Sequence, residues 1–280
     1  MEQHSISNGK GGYVLATGRA ASHRLQILHS VYGPGARRVL EDAGIKHGMR
    51  VADLGCGVGM TTALLAELVG PTGEVVGVDF SAAQLAQARE LLPPEFSRNV
   101  TFVEASATDT GLLYGSFDLV YSRFLLIHLT DPEAALREMH RLLKPGGVLV
   151  CEDGDLTTAG SEPTTALNMF ADLFGRLGPT WGVDYTIGRR LFQTVQAADF
   201  SDIEITYNQP VFARGEGKRL ADLSVAEAGP SFVNAGLITV EALDQTLIEM
   251  RLAAEDENVL AVMPRMSQVW ARKTAPKGLD

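Results

Sequence analysis

The chain has 280 residues, with 24 basic and 34 acidic side chains and a formal net charge of −10. At about 150 residues per domain this is one large domain or two small ones, and 45% hydrophobic beside 21% charged residues suits an ordinary soluble globular protein. The acidic balance argues against nucleic acid or an anionic membrane as partner, and two cysteines, Cys56 and Cys151, exclude a disulfide framework and suit a reducing compartment.

Met1–Gly9 lacks the basic and then apolar run of a signal peptide, and no stretch approaches the ~20 apolar residues that span a bilayer. A cytoplasmic protein is expected.

In chain order, residues 13–47 predict helix. Leu25, Leu28, Val31 and Tyr32 recur at helical spacing, Gly33-Pro34-Gly35 predicts a break, and a second helix from about Ala36 to Ala43 stops at Gly44. From Arg50 to Asp153 short β-branched runs alternate with helical segments. The runs are Val51–Leu54, Val75–Val78, Val100–Val103, Phe117–Val120 and Val148–Val150. Near-continuous apolar strands separated by helices predict a parallel sheet covered on both faces, wound by right-handed crossovers. Asp131 is placed to cap the helix before the fifth strand, with Pro132 in its first turn and Leu136, Met139, Leu142 and Leu143 as its buried stripe. Beyond it, 154–200 opens as a loop and reads helical over Ala166–Leu177 and Arg189–Ala198. Ile203–Tyr207 predicts a sixth strand, 217–228 and 240–255 two helices, and Met263–Arg272 a seventh strand. Residues 275–280 read as a frayed tail.

The expected fold is therefore α/β, a doubly wound, mostly parallel seven-stranded sheet of Rossmann-like type. It divides into an N-terminal helical segment (1–49), a core (50–153), a helical insertion or cap (154–200) and C-terminal strands (201–280) with inserted helices over 214–258.

The chemistry begins at Val51-Ala52-Asp53-Leu54-Gly55-Cys56-Gly57-Val58-Gly59-Met60, where a strand runs into a glycine turn and a helix starts at about Met60. Glycines there let a ligand approach the backbone, and three in alternation argue against a turn with no ligand. A dinucleotide fingerprint fits at Gly55, Gly57 and Asp79, but its third glycine would fall on Met60.

The segment Asp53–Gly59, D-L-G-C-G-V-G, resembles motif I of class I S-adenosylmethionine (SAM) dependent methyltransferases. The resemblance implies SAM as cofactor, with S-adenosylhomocysteine as its product. Asp53 would lie near the methionine portion, Gly55, Cys56, Gly57 and Gly59 would form the cofactor-facing turn, Asp79 would hold the ribose hydroxyls, and Phe80 would lie against the adenine. A helix cap is the plain alternative for Asp79, and small-residue packing is the plain alternative for Cys56. Leu143–Leu149 resembles the turn before the fifth strand of that superfamily. Many relatives carry Asp-Ala after the third strand; here Ser106-Ala107 stands there, leaving the adenine amino group to Ser106, a carbonyl or Asp109.

Tyr121-Ser122-Arg123-Phe124-Leu125-Leu126-Ile127-His128-Leu129 is similar to the corresponding piece of phosphoethanolamine methyltransferases. That likeness implies that the backbone of Ser122 or Arg123 takes the methionine ammonium, and that His128 pairs with Tyr13 as a latch over SAM. A packed helix histidine is the plain alternative. Arg24 could clamp the SAM carboxylate, against a solvated helix arginine. His23, His29, His47 and His140 read as surface residues, and the histidines and cysteines show no zinc spacing.

Methyl transfer from a sulfonium needs mainly proximity and alignment, and a base only where the nucleophile arrives protonated; His128, Tyr13 and Asp153 are the candidates. Phe170, Phe174, Trp181, Tyr185, Phe212, Phe232, Met169 and Met250 suggest a partly apolar pocket for a small organic acceptor, a natural product or a quinone- or lipid-like metabolite. A non-catalytic SAM-binding scaffold or regulatory protein and an NAD-dependent dehydrogenase are the competing functions. No metal or nucleic acid is expected, and a homo-oligomer is left open.

Overall fold

Short apolar strands that alternate faces every residue must be covered on both sides, and the computed structural model, which describes residues 19–274, shows how. Seven strands form one sheet: β1 (Arg50–Leu54), β2 (Glu74–Asp79), β3 (Val100–Glu104), β4 (Phe117–Arg123), β5 (Leu143–Asp155), β7 (Phe200–Asn208) and β10 (Arg265–Lys273). Their order is β3-β2-β1-β4-β5-β10-β7. The pairs from β3 to β5 are parallel, and β10 runs antiparallel to both β5 and β7. The sheet reverses direction of winding between β1 and β4, and in such folds the crevice at that switch point binds the ligand.

Alternation divides the core between the two faces. Val51, Leu119, Tyr121 and Val150 pack with Leu40 and Val39 of α1 (Arg19–Asp42) and Leu65 and Val69 of α2 (Met60–Val69). Ala52, Val120, Leu149 and Cys151 face the opposite way, toward Leu136 and Met139 of α4 (Pro132–Leu142). The capping expectation holds: the Asp131 carboxylate accepts from Ala134 N at 2.8 Å. Crossover helix α3 (Ala82–Leu91) follows β2.

Three features differ from the sequence reading. Gly33-Pro34-Gly35 does not break the first helix, which runs through as α1 with Pro34 inside it. A Cβ on Gly35 would stand 2.1 Å from Asn208 Nδ2, so this glycine serves a close approach of helix and sheet edge. Lys144–Gly147 stays within β5 as a bulge, Phe117 pairing with Leu143 and Leu119 with Val148. A small antiparallel sheet, in the order β6-β9-β8, is built from β6 (Gly160–Glu162), β8 (Val211–Phe212) and β9 (Leu260–Val262). It pins the segment after β5 to the segment between β7 and β10. Helices α5 (Met169–Trp181), α6 (Leu191–Gln196), α7 (Leu220–Asn234) and α8 (Val240–Glu255) complete these two insertions. No helix among the described residues is long and apolar enough to cross a membrane. Tyr13 and the 275–280 tail lie outside the described residues.

Candidate active site

β1 ends at Leu54 and its chain turns back under the end of β2, Gly55 N and Cys56 N both donating to Val78 O at 2.8 and 3.0 Å. Gly55, Gly57 and Gly59 all take positive φ, 73°, 54° and 77°, which side chains resist. A Cβ added at Gly57 meets nothing within 4 Å; the space over this peptide is cavity. Gly57 N donates to Asp79 Oδ2 at 2.9 Å, and Ser81 N donates to Asp79 Oδ1 at 2.9 Å. The cap of α3 is Ser81, whose Oγ accepts from Gln84 N, so Asp79 is not the helix cap that the sequence allowed. Burial raises its carboxyl above the usual range against the pull of those backbone donors.

Asp53 is buried and accepts from Thr62 Oγ1 at 2.6 Å. Burial pushes its pKa up to about 6, with the Thr62 hydroxyl and the Arg123 guanidinium opposing. Cys56 is nearly buried in the turn and burial holds its thiol well above the ordinary range, as a packing residue requires.

A cavity of about 490 Å³ opens above this turn, within the range of small-molecule sites. Asp53, Gly55, Cys56, Gly57, Asp79, Phe80, Ser106, Ala107 and Arg123 all reach its wall. Phe80 is 61% exposed at the rim of this wall. Ser106 Oγ is engaged with Thr108 Oγ1 at 2.8 Å; Asp109 does not reach the wall. Gly59 and Ser122 do not reach it either, and the Ser122 hydroxyl turns away to Cys151 Sγ at 3.4 Å. Arg123 is the residue of that pair on the cavity. Its Nη2 meets His29 Nδ1 at 3.3 Å, and its buried Nη1 has no hydrogen-bond partner among the described residues. His29 is thus half-buried and not a surface residue; burial, then Arg123, lowers its pKa to about 4. His140 is also partly covered, edge-on to Phe200 at 5.1 Å.

The cavity continues away from the glycine turn into an apolar chamber walled by Leu28, Phe124, Leu129, Leu167, Phe170 and Phe174. Two of the aromatic residues expected there are present, Phe170 and Phe174. Tyr185 and Phe232 stand behind Phe174 at 5.3 and 5.2 Å, and Trp181, Phe212, Met169 and Met250 are likewise off the wall. Those side chains are packing that the insertions need for their own core.

His128 lies in the 3-10 turn Leu126–His128 on the chamber wall, edge-on to Tyr185 at 6.0 Å. Burial, and then the Arg24 charge, lower its pKa to about 3, so its imidazole is neutral at any ordinary pH. Asp153 is not a base in this cavity. It is fully buried, off the wall, and its carboxyl oxygens accept from Leu126 N and Ile127 N at 3.0 and 3.3 Å, fixing the turn that carries His128. Arg24 is 3% exposed, not solvated, and its Nε donates to Glu227 Oε2 of α7 at 2.7 Å. Tyr32, missed as a site residue, lines the cavity and donates its hydroxyl to Pro264 O at 2.8 Å. Arg24, Leu28 and Tyr32 are spaced i, i+4, i+8, one face of α1, and that spacing was the available signal. His29 and Glu227 had none.

The glycine turn, a carboxylate ending β2 and a chamber beside both form a candidate small-molecule site on a Rossmann-like sheet. The comparisons agree. Residues 52–151 match the methyltransferase domain family. Over 167 residues the chain is 35% identical to the demethylmenaquinone methyltransferase of Staphylococcus aureus, a match covering 59% of this chain and 66% of that enzyme, just under two thirds of its length. A Bacillus halodurans C-125 protein provisionally classed as a methyltransferase superposes with a TM-score of 0.57 at 18% identity, over 85% of this chain and 98% of its own. The Haemonchus contortus phosphoethanolamine N-methyltransferase 2, solved with phosphomonomethylethanolamine and S-adenosylhomocysteine, gives 0.54 at 19%, over 91% and 53%. Residues 52–151 thus match a methyltransferase domain, and the structural neighbours share its Rossmann-like fold.

Proposed function

We propose that this chain transfers a methyl group from SAM to a small, largely apolar ring-bearing acceptor of quinol-like kind. The carrying observation is that one cavity joins the glycine turn and Asp79 to an apolar chamber walled by phenylalanines. The residues fit the cofactor. Space over Gly57 is open to a ligand, Asp79 keeps lone pairs beyond its two backbone donors, and Arg123 Nη1 lies buried with an unmet donor beside the turn. When bound, SAM supplies an activated methyl on a positively charged sulfur.

In this reading Asp79 takes the ribose hydroxyls and Phe80, Ser106 and Ala107 frame the adenine. Asp53 offsets the positive charge, and Arg123, in place of Arg24, meets the methionine carboxylate. Asp153 and the turn it holds set the chamber floor, the Phe170 and Phe174 rings exclude water, and the neutral His128 offers a hydrogen bond to the acceptor. Alignment across the two halves is then the main contribution to rate. The curated relative's name, a demethylmenaquinone methyltransferase, supports the quinol-like class. A latch between Tyr13 and His128 remains part of this proposal. The test is calorimetry of SAM and NADH separately, followed by transfer of labelled methyl to menadiol. SAM binding with labelled product supports the reading, SAM binding with no transfer to any ring acceptor leaves a scaffold, and NADH binding alone refutes it.

A further inference from the structure

The two arginines of the cavity divide between its halves. Arg123 lies on the glycine-turn side, close enough to Asp53 to oppose the upward push of burial on its carboxyl. Arg24 lies at the chamber end, bonded to Glu227 of α7 and charge-coupled to His128. Arg24 lines the cavity, and its buried Nη2 finds no hydrogen-bond partner among the described residues. A buried guanidinium N–H with no acceptor costs the full desolvation of that group, so the site is built around an acceptor that arrives with the ligand.

The chemistry of that ligand is constrained. Arg24 Nε is committed to Glu227 while Nη2 has no partner among the described residues, so the side-on fork of Nε and Nη2 that a carboxylate or phosphate favours is already half used. Glu227, on the Nε side, offsets part of the guanidinium charge, so a concentrated anion would be left undercompensated among Phe170, Phe174 and Leu167. One oxygen whose charge spreads into an aromatic ring meets both limits. We propose that Arg24 binds the acceptor as an aromatic oxyanion, a phenolate or ring enolate, in the apolar chamber. This rests on the reading of that chamber as the acceptor site.

The proton of the acceptor hydroxyl goes to water on binding, and His128 does not take it. Its imidazole, beside a guanidinium and away from solvent, is a poor base and serves as a neutral hydrogen-bonding neighbour. Among the described residues, Glu227 from α7 and His128 from the turn after β4 are the titratable groups coupled to Arg24. Farther along the wall stand Arg123 of β4 and His29 of α1, and on the outer side His23 faces Glu216 at 3.8 Å.

The probe is 4-nitro-1-naphthol, whose colour reports its own ionisation, titrated into the full chain loaded with S-adenosylhomocysteine. An opposite charge at contact distance lowers an acid's midpoint by roughly one to three pH units, whereas apolar burial alone raises it. The bound naphthol is expected to ionise at least about one unit below its solution value. Arg24→Met should abolish or reverse that shift. Glu227→Gln, which frees the guanidinium charge and needs no new cavity, should enlarge it. A bound midpoint at or above the solution value, or a shift indifferent to both variants, overturns the proposal. Normal loading by S-adenosylhomocysteine with no naphthol binding overturns it while leaving the methyltransferase reading intact. Failure to load overturns that reading and this one together.

Discussion

Replacing Asp79 by Asn probes the cofactor reading at the point where fold and ligand share a group. The carboxylate accepts from Gly57 N and Ser81 N, both at 2.9 Å. An amide of the same shape can accept only through its oxygen; its NH₂ opposes the second backbone N–H. Charge-assisted bonds are about twice as strong as neutral ones, so downgrading one and losing the other costs the glycine turn about 1–2 kcal/mol. A ligand using the remaining lone pairs loses a further ~1.5–3 kcal/mol, the scale for bonds to a charged group, or roughly 10- to 150-fold in affinity. Calorimetry with S-adenosylhomocysteine measures the second quantity, and urea unfolding of the free protein measures the first. The wild-type affinity should also weaken as pH falls, because the carboxyl, raised by burial, takes up a proton and loses acceptor strength. An affinity within twofold of wild type, in a variant with a normal unfolding curve, would refute the ribose assignment.

Gly57→Val combines a φ of 54°, costing ~1–2 kcal/mol for a side chain, with a methyl pair thrust into the cavity; circular dichroism should show a folded protein and calorimetry no S-adenosylhomocysteine binding. Asp153→Asn reports a pH linkage: the native carboxyl, pushed up to about 8 by burial, keeps a proton that the unfolded chain releases. Wild-type stability relative to the variant should therefore be greatest near and below about pH 4 and fall by up to about 1.4 kcal/mol per unit as pH rises toward 8; a flat difference in urea melts would contradict that. Ala221→Trp, from the α7 wall of the cavity, should fill the acceptor chamber, abolishing methyl transfer with S-adenosylhomocysteine affinity unchanged in parallel titrations.

The strands of the parallel core and the glycine turn were legible because each is encoded locally. Val51–Leu54 and Val75–Val78 read as strands from their own composition, and the turn declared itself through three glycines that adopt positive φ. Asp79 was legible from its place at a strand end. What failed to show was what depends on contacts distant in sequence. Arg24 looked solvated because its burial comes from α7, and its partner Glu227 is 203 positions away. Asp153 looked available as a base because nothing local reveals that it holds the backbone of Leu126 and Ile127. Gly33-Pro34-Gly35 signals a break by propensity, yet the approach of Asn208 to Gly35 gives those small residues a packing purpose within a continuous helix. The three-stranded sheet was missed because strands of two or three residues carry no periodicity.

That small sheet bears on how such an enzyme acquires a new acceptor. β9 pairs on one side with β6 and on the other with β8, and the chain leaving β9 contributes Met263 and Pro264 to the cavity wall before entering β10. The two insertions thus inherit each other's backbone register, and the last strand of the main sheet inherits it from both. A chimera taking residues 156–199 from one relative and 209–264 from another would pair strands never selected together, and would misplace Met263 and Pro264 beside the ligand. Grafts that exchange both segments as a unit should keep the fold and carry acceptor choice with them, whereas single-segment grafts should lose it.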